Sequence, residues 1–186
     1  MKLTAILGGT AAAAAFALAG QAAPPEKPAA AAKTAGVDHA IAILHAAPGG
    51  KVTGTIHFHR RPGGVHVQGT LNGLPEGAHG FHVHEFGDCS APDFTSAGSH
   101  FNPTGAPHGA RTDEKRHVGD MGNVEAGAGG TVALDYTDPH LRFEGERSIL
   151  GRGVIVHEKA DDLKTQPTGN AGGRLACGVI GVAKPE

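Results

Sequence analysis

The chain has 186 residues, a length that fits one domain with a short appendage. It carries 16 Lys and Arg residues against 18 Asp and Glu residues, a net charge of −2, and aromatic residues make up only 4% of the sequence. Neither the charge nor the low aromatic content suits a surface that binds phosphates and stacks bases, so we expect no nucleic-acid partner.

The N-terminus predicts export from the cytoplasm. Residues 1–19 begin with Met1-Lys2 and continue as a run rich in Ala and Leu, which resembles a secretory signal peptide. Cleavage after Ala22 is an alternative to cleavage at residue 19. Residues 20–36 are rich in Ala and Pro and predict a flexible tether, followed by a domain at residues 37–186. We therefore expect a periplasmic or secreted protein with no membrane insertion once the signal peptide is removed.

Short alternating segments predict an all-β domain. Val37–Leu44 and Val52–Phe58 alternate as strands do, and a turn at 61–64 joins the second of them to another strand in a hairpin. No segment has the pattern of a helix of ten or more residues. The pattern favours an eight-stranded antiparallel Greek-key barrel or flattened sandwich with two long functional loops. The later strands are predicted at 118–124, 131–136, 153–157 and 179–182, and the loops at 85–116 and 158–173.

A pair of histidines lies on the strand between the hairpin and the first long loop. Alternate side chains of a strand point to opposite faces, so His82 and His84 project together, while Phe81 and Val83 point the other way. Two imidazoles held on a rigid strand suit copper or zinc. The alternative is a pair of solvated polar residues, which is common on exposed strands.

More potential ligands follow in the first long loop and at the end of a later strand. His100, His108 and His117 are spaced eight and nine residues apart, Asp120 follows closely, and His157 ends an apolar strand. Each could be an ordinary polar residue when taken singly. Three imidazoles and one carboxylate nevertheless make a sensible closed tetrahedral zinc set, so the joint pattern predicts a metal protein.

The chain contains five motifs: GFHVHEFGD at 80–88, SHFNP at 99–103, RHVGD at 116–120, VHEKADD at 156–162 and GNAGGRLACG at 169–178. They resemble those of the copper–zinc superoxide dismutase family, in its eukaryotic-type branch. They occur in the family's order and at nearly its spacing, and the resemblance covers residues 37–184.

The resemblance implies two metal sites that share one residue. Copper would be bound by His82, His84, His100 and His157. Zinc would be bound by His100, His108, His117 and Asp120. His100 would then bridge the two ions as an imidazolate, which two flanking cations make possible by lowering the second pKa of the ring. The implied activity is the dismutation of superoxide to oxygen and hydrogen peroxide by redox cycling of copper, with His100 as a proton source and zinc as a structural ion.

Other residues take roles only through the resemblance. Arg174 would attract and orient the anion, because a guanidinium stays charged and offers a rigid fork of donors. Asp161 would link a copper-site histidine to a zinc-site histidine and fix both tautomers. Thr168 would flank the substrate channel. The segment 178–182 resembles the strand end at which the family forms homodimers, and a copper-delivery protein is a possible partner.

The two cysteines, Cys89 and Cys177, fit an exported protein. An even number of cysteines in such a chain favours a disulfide, with two buried free thiols as the alternative. The resemblance strengthens the bridge. Closing a loop of this length stabilises the fold by up to about 4.6 kcal/mol in the chain-entropy model.

Two features depart from the family pattern. The segment 164–167 is shorter than the family's usual charged loop and lacks its paired glutamates, so we expect weaker steering of the anion, with Lys164 as a substitute charge. His57, His59 and His66 lie on the predicted hairpin and could bind an additional metal ion, although three solvated side chains are the simpler interpretation. For His39 the sequence offers no partner.

Two other functions fit parts of the pattern. One is a protein of the same fold that stores or transfers copper without turnover, which predicts damage at Arg174 or at a copper ligand. The other is a mononuclear zinc hydrolase, which needs an open coordination position beside a general base. Both fit the complete set of ligands less well than the dismutase does.

Overall fold

The structure, a computed structural model, describes residues 36–184, which form nine β-strands and one short 3-10 turn, Thr95–Ala97. None of the helices in this described part is long and apolar enough to cross a membrane. The predicted signal peptide, and the predicted tether up to residue 35, lie outside the described residues. The strands are β1 His39–Ala46, β2 Thr53–Arg61, β3 Gly64–Asn72, β4 Gly77–His84, β5 Asp120–Ala126, β6 Val132–Asp138, β7 Gly153–His157, β8 Arg174–Val179 and β9 Gly181–Val182.

Eight of the strands form a nearly closed antiparallel barrel in the order β5-β4-β7-β8-β1-β2-β3-β6, and the two-residue strand β9 pairs with β1. This confirms the predicted fold. The predicted hairpin is β2–β3, in which Arg61 pairs with Gly64 across the turn. The strand β8 was not among those predicted from the alternating pattern, and β4 begins at Gly77, before the residues 81–84 on which the strand was predicted. Glycines in both segments interrupt the alternating pattern.

The core fills the inside of the barrel. On β2 the buried residues alternate as predicted, with Gly54, Ile56 and Phe58 facing inward. On β4 the inward residues are Phe81 and Val83, which belong to the same core. Burial of such side chains stabilises the fold by about 25 cal/mol per Å² of apolar surface. The inward direction of these residues forces their neighbours on the same strands to the outside.

The outer face of β4, β7 and β8 is covered by the two long loops, residues 85–119 and 158–173. A second, small apolar cluster lies under the first loop and contains Phe94, Ala97, Ile155 and Cys177. Both loops are therefore held against the barrel, and polar residues of the outer face that would otherwise contact water become buried beneath them.

Candidate metal centre

Four histidines converge under the loops on the outer face of the barrel: His82, His84, His100 and His157. Their side chains are buried, and one ring nitrogen from each lies within 4.8 Å of the others. The Nε2 atoms of His84 and His157 are 3.2 Å apart, and the ring centroids of His82 and His100 are 4.0 Å apart. Two strands, β4 and β7, and one loop residue thus bring together the set predicted for copper.

The other nitrogen of each strand histidine has a fixed partner. His84 donates from Nδ1 to the carbonyl of Gly98 at 3.0 Å, and His157 donates from Nδ1 to the carbonyl of Gly172 at 3.3 Å. These bonds leave Nε2 of both rings facing the cluster. His82 instead donates from Nε2 to Asp161 Oδ2 at 2.8 Å, which leaves Nδ1. Each ring is held in the tautomer that a metal ligand needs.

A second cluster shares one member with the first. His100, His108, His117 and Asp120 are buried, and the Nδ1 atoms of the three rings lie 2.8, 3.0 and 3.2 Å from Asp120 Oδ1 in that order. The other oxygen, Oδ2, accepts from the amides of Gly109 and His117. These are the residues predicted for zinc, and His100 offers Nδ1 to this cluster and Nε2 to the first.

The donor atoms fit metal ions better than they fit each other. Buried nitrogens without a hydrogen-bond partner include Nδ1 of His82 and Nε2 of His100. Leaving such atoms unsatisfied costs about 1–3 kcal/mol each. The three nitrogens of the second cluster lie about 3 Å from one carboxylate oxygen, which is close to the separation between the ligand atoms of one tetrahedral ion. Bound cations would satisfy every one of these atoms.

The electrostatics of the clusters keep the imidazoles of His100 and His157 neutral and the carboxylate of Asp120 charged. Burial lowers the pKa of His157 from 6.5 to about 3, and burial lowers that of His100 to about 4 against the opposing hydrogen bond with Asp120. Burial also works to raise the pKa of Asp120, but hydrogen bonds from the histidines hold it well below 3.8. Neutral imidazole and charged carboxylate are the forms that bind metal.

Asp161 connects the two clusters from behind. Its Oδ2 accepts from His82 and its Oδ1 accepts from His108 Nε2, both at 2.8 Å. Asn123 on β5 fixes the Asp161 backbone with two hydrogen bonds of 2.7 and 2.8 Å. Burial would lower the pKa of His108, but the hydrogen bonds to Asp120 and Asp161 outweigh it and raise the pKa to about 9. Sequence reasoning missed Asn123, because a single asparagine on a strand has no distinctive pattern.

Arg174 lies beside the first cluster, at the start of β8 and opposite His157 in the register. Its guanidinium donates to the carbonyls of Phe94 and Gly98, the latter at 2.6 Å. Burial lowers the pKa of Arg174 below its usual value, and the guanidinium remains a cation at neutral pH. The predicted disulfide between Cys89 and Cys177 is present and ties the first loop to β8 near this arginine.

The second loop places the remaining predicted residues. Thr168 is half-buried beside Gly169, and Lys164 is exposed. Gln166 accepts from the amide of His108 at 2.8 Å and donates to its carbonyl at 2.9 Å, so the segment that departs from the family pattern holds a candidate zinc ligand. Sequence reasoning missed this role, since it depends on a contact between residues 58 positions apart.

The outer histidines are grouped differently from the sequence prediction. His66 pairs with Asp135 at 2.7 Å rather than with His57 and His59. The third member of the group is His39, whose Nε2 lies 2.9 Å from His57 Nδ1. The sequence did not identify His39 as the third ring, because the register of β1 against β2 cannot be derived from the local sequence.

Comparisons with known proteins agree with this geometry. Residues 52–180 match the family model described as copper/zinc superoxide dismutase. The chain is 46% identical over 153 residues to an extracellular copper–zinc superoxide dismutase of Brugia pahangi, a match that covers 77% of this chain and 76% of the relative. It is 50% identical over 149 residues to copper–zinc superoxide dismutase A of Xenopus laevis, covering 76% of this chain and 96% of the relative.

A solved structure has the same fold. The crystal structure of the clock protein EA4 superposes with a TM-score of 0.73 at 46% sequence identity, and the match covers 78% of this chain and 95% of that one.

Proposed function

The chain belongs to the copper/zinc superoxide dismutase family, and on that premise we propose that it dismutates superoxide at a two-metal centre in which His100 is shared by copper and zinc. The family membership makes it an oxidoreductase that acts on superoxide and uses copper and zinc. The observation that supports the shared site is the position of His100, whose two ring nitrogens face two different clusters of buried ligands.

In this proposal the copper site consists of Nδ1 of His82 and Nε2 of His84, His100 and His157. The zinc site consists of Nδ1 of His100, His108 and His117 with Oδ1 of Asp120. Bound copper supplies reversible one-electron chemistry between Cu²⁺ and Cu⁺, and bound zinc supplies positive charge without a redox change. Two superoxide ions and two protons give one oxygen molecule and one hydrogen peroxide molecule.

Side chains of the protein bind and orient the anion, transfer the proton and hold the metal ligands. Arg174 attracts superoxide and orients it with a guanidinium that the carbonyls of Phe94 and Gly98 hold in place. His100 Nε2 takes up a proton only when it is not coordinated, and it delivers that proton to the reduced product. Asp161 holds His82 and His108 in their ligating tautomers. Thr168 flanks the approach of the anion, and Lys164 adds charge to it.

Metal counting in single variants tests the shared site. We expect His84→Asn to lose copper and keep zinc, and His117→Asn to lose zinc and keep most of its copper. His100→Asn is expected to weaken the binding of both metals. The control is His45→Asn, which alters an exposed histidine and should change the binding of neither metal. The measurement is the copper and zinc content after dialysis against a graded chelator series. A His100 variant that weakens the binding of only one metal would contradict the shared ligand.

We also propose that the protein is exported and that it forms a homodimer. The Cys89–Cys177 disulfide and the similarity to an extracellular relative support export. The dimer is supported by exposed apolar side chains on β1, β9 and the end of β8: Ile43, Val182 and Val179 are 66%, 65% and 43% exposed. The N-terminal sequence of the mature protein tests the first proposal, and light scattering on Ile43→Lys, expected to be monomeric, tests the second.

A further inference from the structure

We propose that His39, His57 and His59 form a third metal site, on the outside of the barrel, for a divalent transition-metal ion with Cu²⁺ preferred. The strands that carry it, β1 and β2, are neighbours in the sheet and contain none of the ligands of the candidate metal centre. A ligand nitrogen from each of the three rings lies within 4.8 Å of the others.

The register of the sheet brings these rings together. His39 on β1 is directly opposite His59 on β2, and His57 lies two residues before His59 on the same face. Opposite side chains of antiparallel strands have Cβ atoms about 4.5–5.5 Å apart, and diagonal neighbours remain within reach of aromatic rings. The intervening Phe58 points into the core, so the two β2 histidines are held outward on a rigid strand.

The observed geometry is close to that of a ligand set. His39 Nε2 and His57 Nδ1 are 2.9 Å apart, and the rings of His39 and His59 stack with centroids 4.3 Å apart. Imidazole nitrogens around one ion at about 2.0–2.1 Å lie about 3.3 Å from one another. The three ligand nitrogens lie within 4.8 Å of one another, and χ2 is a broad torsion for histidine, so ring rotation is the adjustment that binding requires.

The chemistry of the donors selects the ion. Three imidazoles and no carboxylate suit Cu²⁺, Ni²⁺ and Zn²⁺, and affinity in such sites is highest for Cu²⁺. The nearby cation Arg60 is offset by ion pairs with Asp38 and Glu144 at 3.0 and 2.8 Å. His59 is only 8% exposed and the other two rings are half-buried, so part of each ring is already shielded from water.

Titration of the mature protein with Cu²⁺, after the family's copper and zinc have been loaded, tests the proposal. We expect one additional Cu²⁺ per chain, counted by elemental analysis in the presence of glycine as a weak competitor and visible as a new nitrogen-ligated signal in electron paramagnetic resonance. Replacing all three histidines by Asn should abolish this ion, and His57→Asn alone should raise its Kd by at least about tenfold.

Two controls make the result specific. His66→Asn removes the neighbouring ring that pairs with Asp135, and His45→Asn removes an exposed ring, so both variants should keep the additional ion. The triple variant could unfold because it replaces the buried His59. In that case the Kd of the additional Cu²⁺ in His57→Asn alone tests the proposal. Absence of an additional Cu²⁺ in the wild type, or an unchanged Kd in His57→Asn, would overturn the third site and leave the candidate metal centre unaffected.

Discussion

At the scale of single residues, one backbone oxygen connects the proposed anion-binding arginine to a proposed copper ligand. The carbonyl of Gly98 accepts from Nδ1 of His84 at 3.0 Å and from the guanidinium of Arg174 at 2.6 Å. Gly98 has φ +75°, and a Cβ there would lie 2.8 Å from the ring of Phe86. The position of Arg174 relative to the copper site therefore depends on a glycine that can adopt this conformation.

Arg174→Ala should lower the rate of superoxide decay at least several-fold while copper content is retained, because the variant loses the cation that attracts and orients the substrate. The measurement is the catalysed decay rate at low and at high salt. Arg174→Lys keeps the charge without the fork of donors, so its decay rate should lie between those of the wild type and the Ala variant. An unchanged rate for the Ala variant at low salt would show that Arg174 has no such role.

Asp161→Asn should weaken the binding of at least one of the two metals by about 10–100-fold. The amide has one oxygen that accepts and a nitrogen that cannot, so either His82 or His108 loses its acceptor inside a buried site. Affinities are measured by competition with a chelator. Asp162→Asn, which alters an exposed neighbour in the same loop, is the control, and equal effects of the two variants would contradict the connecting role of Asp161.

At the scale of elements, the second long loop packs against the metal-ligand clusters at a position where only a glycine fits. Gly169 has φ +64°, and a Cβ at this position would lie 1.8 Å from Asp161 Oδ1 and 2.6 Å from His108 Nε2. No side chain other than that of glycine fits between the loop and the connecting carboxylate. The loop and the metal ligands are thus packed as one unit.

Gly169→Ala should therefore lower zinc affinity and the stability of the protein together. The matched control is Gly145→Ala, which introduces the same residue at a similar φ, +71°, where nothing lies within 4 Å. Both variants carry the cost of a left-handed backbone, but only the first displaces Asp161. Urea unfolding and zinc titration measure the difference, and equal losses in the two variants would contradict the packing argument.

The sequence allowed the elements that carry the site to be predicted, but not the contacts between them. Strict alternation on β4 placed His82 and His84 outward, and the Gly- and Pro-rich stretch identified the first loop. The roles of Asn123 and Gln166 depend on hydrogen bonds across 38 and 58 residues, which leave no periodic pattern. The grouping of His39 with His57 depends on strand register, and the turn before β2 does not specify it.

At the scale of the whole molecule, buried titratable groups of the metal-free protein lie close together in the candidate metal centre. The pKa values of His100 and His157 are lowered to about 4 and about 3, whereas that of His108 is raised to about 9. Protonation of His100 and His157 is unfavourable in the folded state, whereas protonation of His108 is favourable there. Their contributions to stability consequently change in opposite directions with pH.

The metal-free protein should be most stable near neutral pH. As pH falls below 6.5, the unfolded state takes up protons that His100 and His157 resist in the folded state, so stability is lost toward pH 3. As pH rises from 6.5 to about 9, the contribution of His108 is lost. Urea unfolding midpoints in excess chelator measure the profile. A midpoint that rises steadily from pH 6.5 to pH 4 would contradict the buried, neutral state of these histidines.

In the proposed function, copper bound beside Arg174 turns over superoxide. The most direct test is superoxide decay after pulse radiolysis of the mature protein, with copper and zinc counted in the same sample. We predict fast decay that is proportional to bound copper and abolished by a copper chelator. Decay no faster than the spontaneous reaction, with both metals fully loaded, would contradict the account and favour a protein that binds copper without turnover.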